Sequence, residues 1–151
     1  MFILKNRDAF TFIELIVMMV LLVIMVTAAI IGFNITTTEL DANANNLKSN
    51  IQFAQDLAMT HGSIYGFRPI DASNYEIYES SPGSPAQNPL TNSDLLIDMA
   101  PVQFQGSPPT FEFDENGFMT FGSNATITLT QSGSTRTLTV QDQTGHVTLA
   151  P

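Results

Sequence analysis

From Leu15 to Ile31 the chain reads LIVMMVLLVIMVTAAII, with Thr27 its only polar residue, and no charge intervenes between Glu14 and Glu39. Few structures accommodate such a run. A bilayer core of about 30 Å takes about 20 apolar residues at 1.5 Å each, so the segment predicts a membrane-spanning helix through Leu15, Val23 and Ile31. Lys5 and Arg7 precede it and no basic residue follows until Lys48. The positive-inside rule then keeps the N-terminus cytoplasmic and exports everything after the span. One residue does not fit a plain anchor. Glu14 places a carboxylate in an apolar stretch, at a cost of about 2.5 to 3.5 kcal/mol at a membrane centre and less near the interface, so it needs a partner or a function.

Composition narrows the rest. The chain has 151 residues with 5 Lys+Arg against 14 Asp+Glu, a formal net charge of -9, and no Cys or Trp. That length holds one ordinary domain. Without cysteine there is no disulfide framework, thiolate metal site or cysteine nucleophile. The acidity disfavours nucleic acid, whose binding rests on Lys and Arg neutralising phosphates. No Ser-His-Asp, HExxH, Walker or dinucleotide pattern occurs, so neither an enzyme nor a cofactor is expected.

Beyond the span, Leu40, Ala44, Leu47, Ile51, Ala54 and Ala58 recur at helical spacing and predict one apolar stripe packed along a domain. His61-Gly62 reads as the helix end, with the imidazole near the negative pole of the helix and Gly in a left-handed position. A helix running unbroken from Phe10 to His61 would extend about 78 Å. Its weak point lies at Gly32 to Thr38, where Thr36-x-x-Glu39 also resembles a capping box able to start a second helix.

After Gly62 the texture changes to short alternating segments separated by turn residues, which predicts antiparallel sheet. Expected strands are Ile64 to Arg68, Tyr75 to Glu79, Leu95 to Met99, Val102 to Phe104, Phe111 to Asp114, Phe118 to Phe121, Thr126 to Gln131, Thr135 to Gln141 and His146 to Leu149. Residues 80–92 (SSPGSPAQNPLTN) read as an irregular exposed loop, Asn116-Gly117 as a hairpin turn, and Ser132-Gly133-Ser134 as another. One face of the Thr126 to Gln141 hairpin carries Ile127, Leu129, Leu138 and Val140, and the other is rich in threonine.

The segment Phe10-Thr11-Phe12-Ile13-Glu14-Leu15, after a short basic leader and before a long apolar helix, resembles the class III signal of type IV pilins and pseudopilins. Phe12 stands where Leu is commonest in that family, and Ala9 where Gly is commonest. The resemblance implies a cut between Ala9 and Phe10 by the prepilin peptidase, N-methylation of Phe10, and a role for Phe10 and Glu14 in filament assembly. The new amine, with an unperturbed pKa near 8, would neutralise the Glu14 carboxylate within one chain or between neighbours. The order of one long helix and then a run of strands is similar to the GspH/FimT-type minor pseudopilins and minor pilins. Two short pieces add to this likeness, Ala54-Gln55-Asp56-Leu57-Ala58 and Thr144-Gly145-His146-Val147.

The resemblance implies an α+β pilin-like fold divided into a leader (1–9), a transmembrane and filament-core helix (10–38), an amphipathic helix half (39–61) and an antiparallel β-domain (62–151). It implies a structural subunit of a type II secretion pseudopilus or type IV pilus, held in the bacterial inner membrane with its domain in the periplasm. Its partners would be other pilin-like subunits, the prepilin peptidase, the inner-membrane assembly platform and the lipid bilayer, with no nucleic acid. One rival is an exported soluble binding or enzymatic β-domain behind an ordinary signal peptide cleaved near Ala28-Ala29. A weaker one is a minor pilin for DNA uptake, for which the exported part offers only Lys48, Arg68 and Arg136. Glu112, Asp114 and Glu115 with Asp142 form an oxygen-rich set that calcium would accept. Their spacing matches no known calcium loop and reads as a solvated hairpin rim, as Asp94 and Asp98 read as a polar edge, so no metal is expected.

Overall fold

The computed structural model describes residues 11–31 and 35–151, which fall into two units meeting between Ile35 and Thr36. Among the described residues of unit one is the helix α1 (Phe12–Ile31), whose 20 residues span about 30 Å. From Phe12 to Val26 every residue but Glu14 is apolar.

From Thr36 on, α2 (Ile35–His61) belongs to unit two. Its stripe at Leu40, Ala44, Leu47, Ile51, Ala54 and Ala58 is fully enclosed, joined by Leu57. The helix closes as its sequence predicts. Gly62 sits at φ +62°, its amide donates to the Ala58 carbonyl at 3.0 Å, and the Ser63 amide reaches the same oxygen at 3.4 Å. The helix expected from Phe10 begins at Phe12, with Thr11 outside it, and whether it runs unbroken to His61 turns on residues 32–34, which lie outside the described residues. The second helix starts at Ile35, so Thr36 sits inside its first turn rather than before it.

Eight strands follow: β1 (Tyr65–Pro69), β2 (Asn74–Glu79), β3 (Leu96–Asp98), β4 (Gln103–Phe104), β5 (Phe111–Phe113), β6 (Ala125–Gln131), β7 (Ser134–Val140) and β8 (Val147–Ala150). They form two antiparallel four-stranded sheets, ordered β3-β2-β1-β5 and β4-β6-β7-β8. Alternation reveals which face of a strand is buried but not which strand lies beside it, so this division was not legible in the sequence. The inward faces meet through aromatic rings. Phe67 of β1 stacks on Phe111 at 5.2 Å between centroids and meets the edge of Phe104, from the other sheet, at 6.2 Å.

Two sequence expectations change. The turn between β6 and β7 has two residues, not three: Gln131 pairs with Ser134, and Ser132 and Gly133 are both left-handed at φ +49° and +84°. That geometry matches the twist of the flanking strands. The expected strand Phe118 to Phe121 does not form, and only the bridge Phe113↔Met119 remains. Asp114 accounts for this. Its Oδ1 accepts the amides of Asn116 and Phe118 at 2.9 and 2.8 Å, giving the backbone a local alternative to a ladder. Within 80–92, the segment around Ser84 to Ala86 lies along β2, where the Glu79 amide donates to Ser84 and the Ala86 amide to Ile77.

Candidate assembly site

Thr11 caps α1. Its carbonyl accepts the amides of Glu14 and Leu15 at 3.0 and 3.2 Å, and its Oγ1 lies 3.4 Å from the Glu14 amide. This Thr-x-x-Glu spacing, expected at Thr36 and Glu39, occurs here within the FTFIEL segment. At Glu39 the carboxylate turns to the sheet instead and accepts from Gln131 Nε2 at 2.8 Å. Glu14 lies in the first turn of α1, where a carboxylate complements the positive end of the helix. Among the described residues it forms no ion pair. The large apolar side chains of α1 from Phe12 to Val26, including Leu15 and Val23, are exposed, from 42% at Ile16 to 80% at Phe12. Ile31 is the last residue of the helix. Ala9 and Phe10 lie outside the described residues.

Among the described residues no helix qualifies as long and apolar enough to cross a membrane.

In unit two most polar side chains near the core are engaged, although Gln131 Oε1 is buried without a hydrogen-bond partner. Arg68 and Glu76 face one another across β1 and β2, with Nε and Oε1 2.8 Å apart. Glu76 is 2% exposed because the loop folds over it, and its Oε1 also accepts the Gly83 amide at 2.8 Å. Sequence reading missed this pair, since nothing in the alternation of β2 marks Glu76 as covered. Asp41 holds Arg136. Tyr78 donates to Glu112 at 2.9 Å, and burial followed by that carboxylate pushes the phenol far above its ordinary range. The Asp71 carboxylate accepts the amides of Ser73 and Asn74 and is held below the usual range, the Ser73 bond contributing most.

These partners dissolve the acidic cluster around the Asn116-Gly117 turn. Glu112 is engaged by Tyr78, and Asp114 by its own turn. Among the described residues no group of three or more His, Asp or Glu is placed to hold a metal.

His61, at the end of α2, lies with Nδ1 2.6 Å from Tyr65 Oη. Burial first, and then Glu79, pushes the Tyr65 hydroxyl up to about 12. The two rings line a cavity of about 530 Å³ with Glu79, Pro85, Gln87 and Pro89. His61 thus has a structural partner in Tyr65.

Gln55 joins the two short pieces on which the β-domain resemblance rests. From α2 its Nε2 donates to the carbonyls of Gly117 at 2.7 Å and Thr144 at 2.9 Å. Gly145 sits at φ +64°, which L side chains rarely adopt, and a Cβ there would also stand 2.8 Å from the Phe113 ring and crowd the Gln55 amide, so glycine suits the turn against the helix.

A helix striped along one side, laid on antiparallel sheet, and preceded by an exposed apolar helix with a carboxylate in its first turn defines the pilin-like class. The family model for the type II transport protein GspH matches residues 43–144. The chain belongs to the GspH family, and is a pilin-like structural subunit of the minor pseudopilin or minor pilin kind. Solved structures share its fold. The type IV minor pilin FimU of Pseudomonas aeruginosa is 18% identical, with a TM-score of 0.56 over 74% of this chain and 93% of that one. The minor pseudopilin EpsH from the type 2 secretion system of Vibrio cholerae is 17% identical, with a TM-score of 0.59 over 74% of this chain and 96% of that one. No curated protein sequence matches the chain. Membership implies a membrane-anchored, exported protein that assembles with other pilin-like subunits.

Proposed function

We propose that the chain is anchored in the bacterial inner membrane by Leu15 to Ile31, with its N-terminus cytoplasmic and unit two periplasmic, and that the prepilin peptidase cuts between Ala9 and Phe10. The methylated amine of Phe10 then neutralises Glu14 of its own or a neighbouring chain, and the inner-membrane platform inserts the subunit into a type II secretion pseudopilus or a type IV pilus. The chain does mechanical rather than catalytic work. The observation that carries this reading is α1 itself, whose apolar side chains are exposed from Phe12 to Val26 around one carboxylate. Lipid covers such a surface before assembly and other helices cover it afterwards, and an unpaired carboxylate is costly in either setting.

N-terminal sequencing and mass analysis of the mature protein test the processing. A start at N-methylated Phe10 is expected, and a start near Ala29 supports the ordinary signal peptide instead. Glu14→Leu tests the pairing. The variant should still enter the membrane, because it removes the cost of burying a charge, yet its recovery in filaments should fall by about tenfold, equivalent to losing about 1.4 kcal/mol of register selection. Recovery at the wild-type level removes the pairing role.

A further inference from the structure

Charge is divided between the two sheets. The strands β1, β2, β3 and β5 carry Arg68, Glu76, Glu79, Asp98 and Glu112, whereas β4, β6, β7 and β8 carry Arg136 alone, and Arg136 lies on the inward-facing set with Leu138 and Val140 and is paired to Asp41. The outward face of the second sheet has no charged residue. It is an array of threonines in register: Thr126 faces Thr139, which faces Thr148, while Thr128 faces Thr137 and Thr130 faces Thr135. Neighbouring side chains are spaced about 4.8 Å across strands and about 7 Å along them. Thr148 Oγ1 donates to the Thr139 carbonyl, and among the described residues the hydroxyls of Thr126, Thr128, Thr137 and Thr139 have no partner within the chain.

We infer that this threonine face is the surface through which unit two docks on a neighbouring acidic pilin-like subunit in the filament. The inference rests on the filament-subunit function proposed above. A chain of net charge -9 repels a second like itself over most of its surface, and that repulsion is largest where carboxylates are brought together and desolvated. The threonine face removes the repulsion on one side. Its hydroxyls donate to carbonyl or carboxylate oxygens of the neighbour, its methyl groups supply apolar contact, and β-branched side chains on a sheet lose little rotamer freedom on docking. The carboxylate-bearing sheet remains directed elsewhere.

The sign of charge makes the test specific. Thr137→Glu and Thr137→Lys are compared with the wild type in the full chain, reading recovery in purified filaments and the melting temperature of the detergent-solubilised protein. Glu should reduce recovery by about fivefold or more, while Lys stays within about twofold of wild type, because only Glu restores like-charge repulsion. Should Thr137→Glu fail to fold, Thr148→Glu replaces it, since Thr148 is exposed on an outermost strand. Wild-type recovery of the Glu variant, or equal loss with Glu and Lys, overturns the inference. Absence of the wild-type chain from filaments overturns the proposed function along with it. Because the chain lacks cysteine, Thr126→Cys gives a second reading. It should cross-link to a neighbouring subunit in filaments where Asp98→Cys, on the acidic sheet, does not, and the reverse pattern is contrary to the inference.

Discussion

Tyr75 is fully enclosed, yet it carries a hydroxyl into the core, where Asn50 Nδ2 donates to it at 2.7 Å. Burial pushes its ionisation up to about 12, against a partial opposing effect of Asn50. An unfolded tyrosine ionises near 10. Both states are therefore neutral below pH 10, and the stability conferred by keeping the phenol neutral is intact there. As pH rises from 10 to 12, the unfolded chain releases a proton that the folded chain retains, and stability falls by up to about 2 to 3 kcal/mol from this residue alone. Tyr75→Phe should be less stable than wild type at pH 8 by about 1 kcal/mol, having lost one hydrogen bond. It should lose less between pH 10 and 12, so that the two urea-unfolding midpoints converge. Parallel curves would assign the alkaline loss to other groups. None of this was legible beforehand, because Tyr75 reads as one more apolar position on a strand until Asn50 of the helix is placed opposite it. Glu76 shows the same limit. Its neighbour Arg68 follows once register is known, but its burial depends on a loop whose composition suggested only exposure. Glu14, by contrast, stood out in the sequence because a lone carboxylate in a long apolar run has almost no ordinary explanation.

At the scale of elements, α2 was the most legible part of unit two because a stripe at spacings of three and four admits one helical face and one buried side. Leu47 and Ile51 lie at its middle with no exposed surface. Leu47→Ala should cost about 3 kcal/mol, the removed side chain leaving a cavity that sheet and helix only partly fill. Ser49→Ala, exposed on the same helix, should change stability by no more than about 0.5 kcal/mol. Chemical denaturation of both variants checks the contrast, and similar small effects would mean that α2 is not a stabilising partner of the sheets. The strands were legible as alternating segments, and the Asn116-Gly117 turn as a turn. The absent strand after it was not legible, because a single side chain, Asp114, satisfies backbone amides that the pattern had assigned to a ladder. Residue alternation also left the two sheets unseparated, since it does not fix which strands pair: Phe67 and Phe111 are partners within one sheet while Phe104 meets Phe67 from the other, and all three read alike as apolar positions.

For the whole molecule the balance of charge decides the response to salt. Against a net charge of -9, only two ion pairs are present among the described residues, Arg68 with Glu76 and Arg136 with Asp41. Salt weakens both pairs and the repulsion among the carboxylates alike, but not equally. Arg68 and Glu76 are packed against one another with Glu76 nearly enclosed, and such a pair is screened little. Arg136 with Asp41 is more open and is worth at most about 1 kcal/mol. The repulsion, in contrast, is spread over exposed carboxylates separated by solvent, the kind of interaction that shortening the Debye length from about 30 Å at 0.01 M to about 10 Å at 0.1 M suppresses most. Net self-repulsion destabilises a compact state, so its relief should outweigh the loss of one exposed pair. The melting temperature of the full chain in a non-ionic detergent should therefore rise by about 2 to 4 °C over that range of sodium chloride, corresponding to about 1 kcal/mol for a chain of this size. A fall would show that the two ion pairs outweigh the summed repulsion. A rise that disappears when Glu115 and Asp142 are replaced by Gln and Asn would locate part of the repulsion at carboxylates for which no ion pair is formed among the described residues.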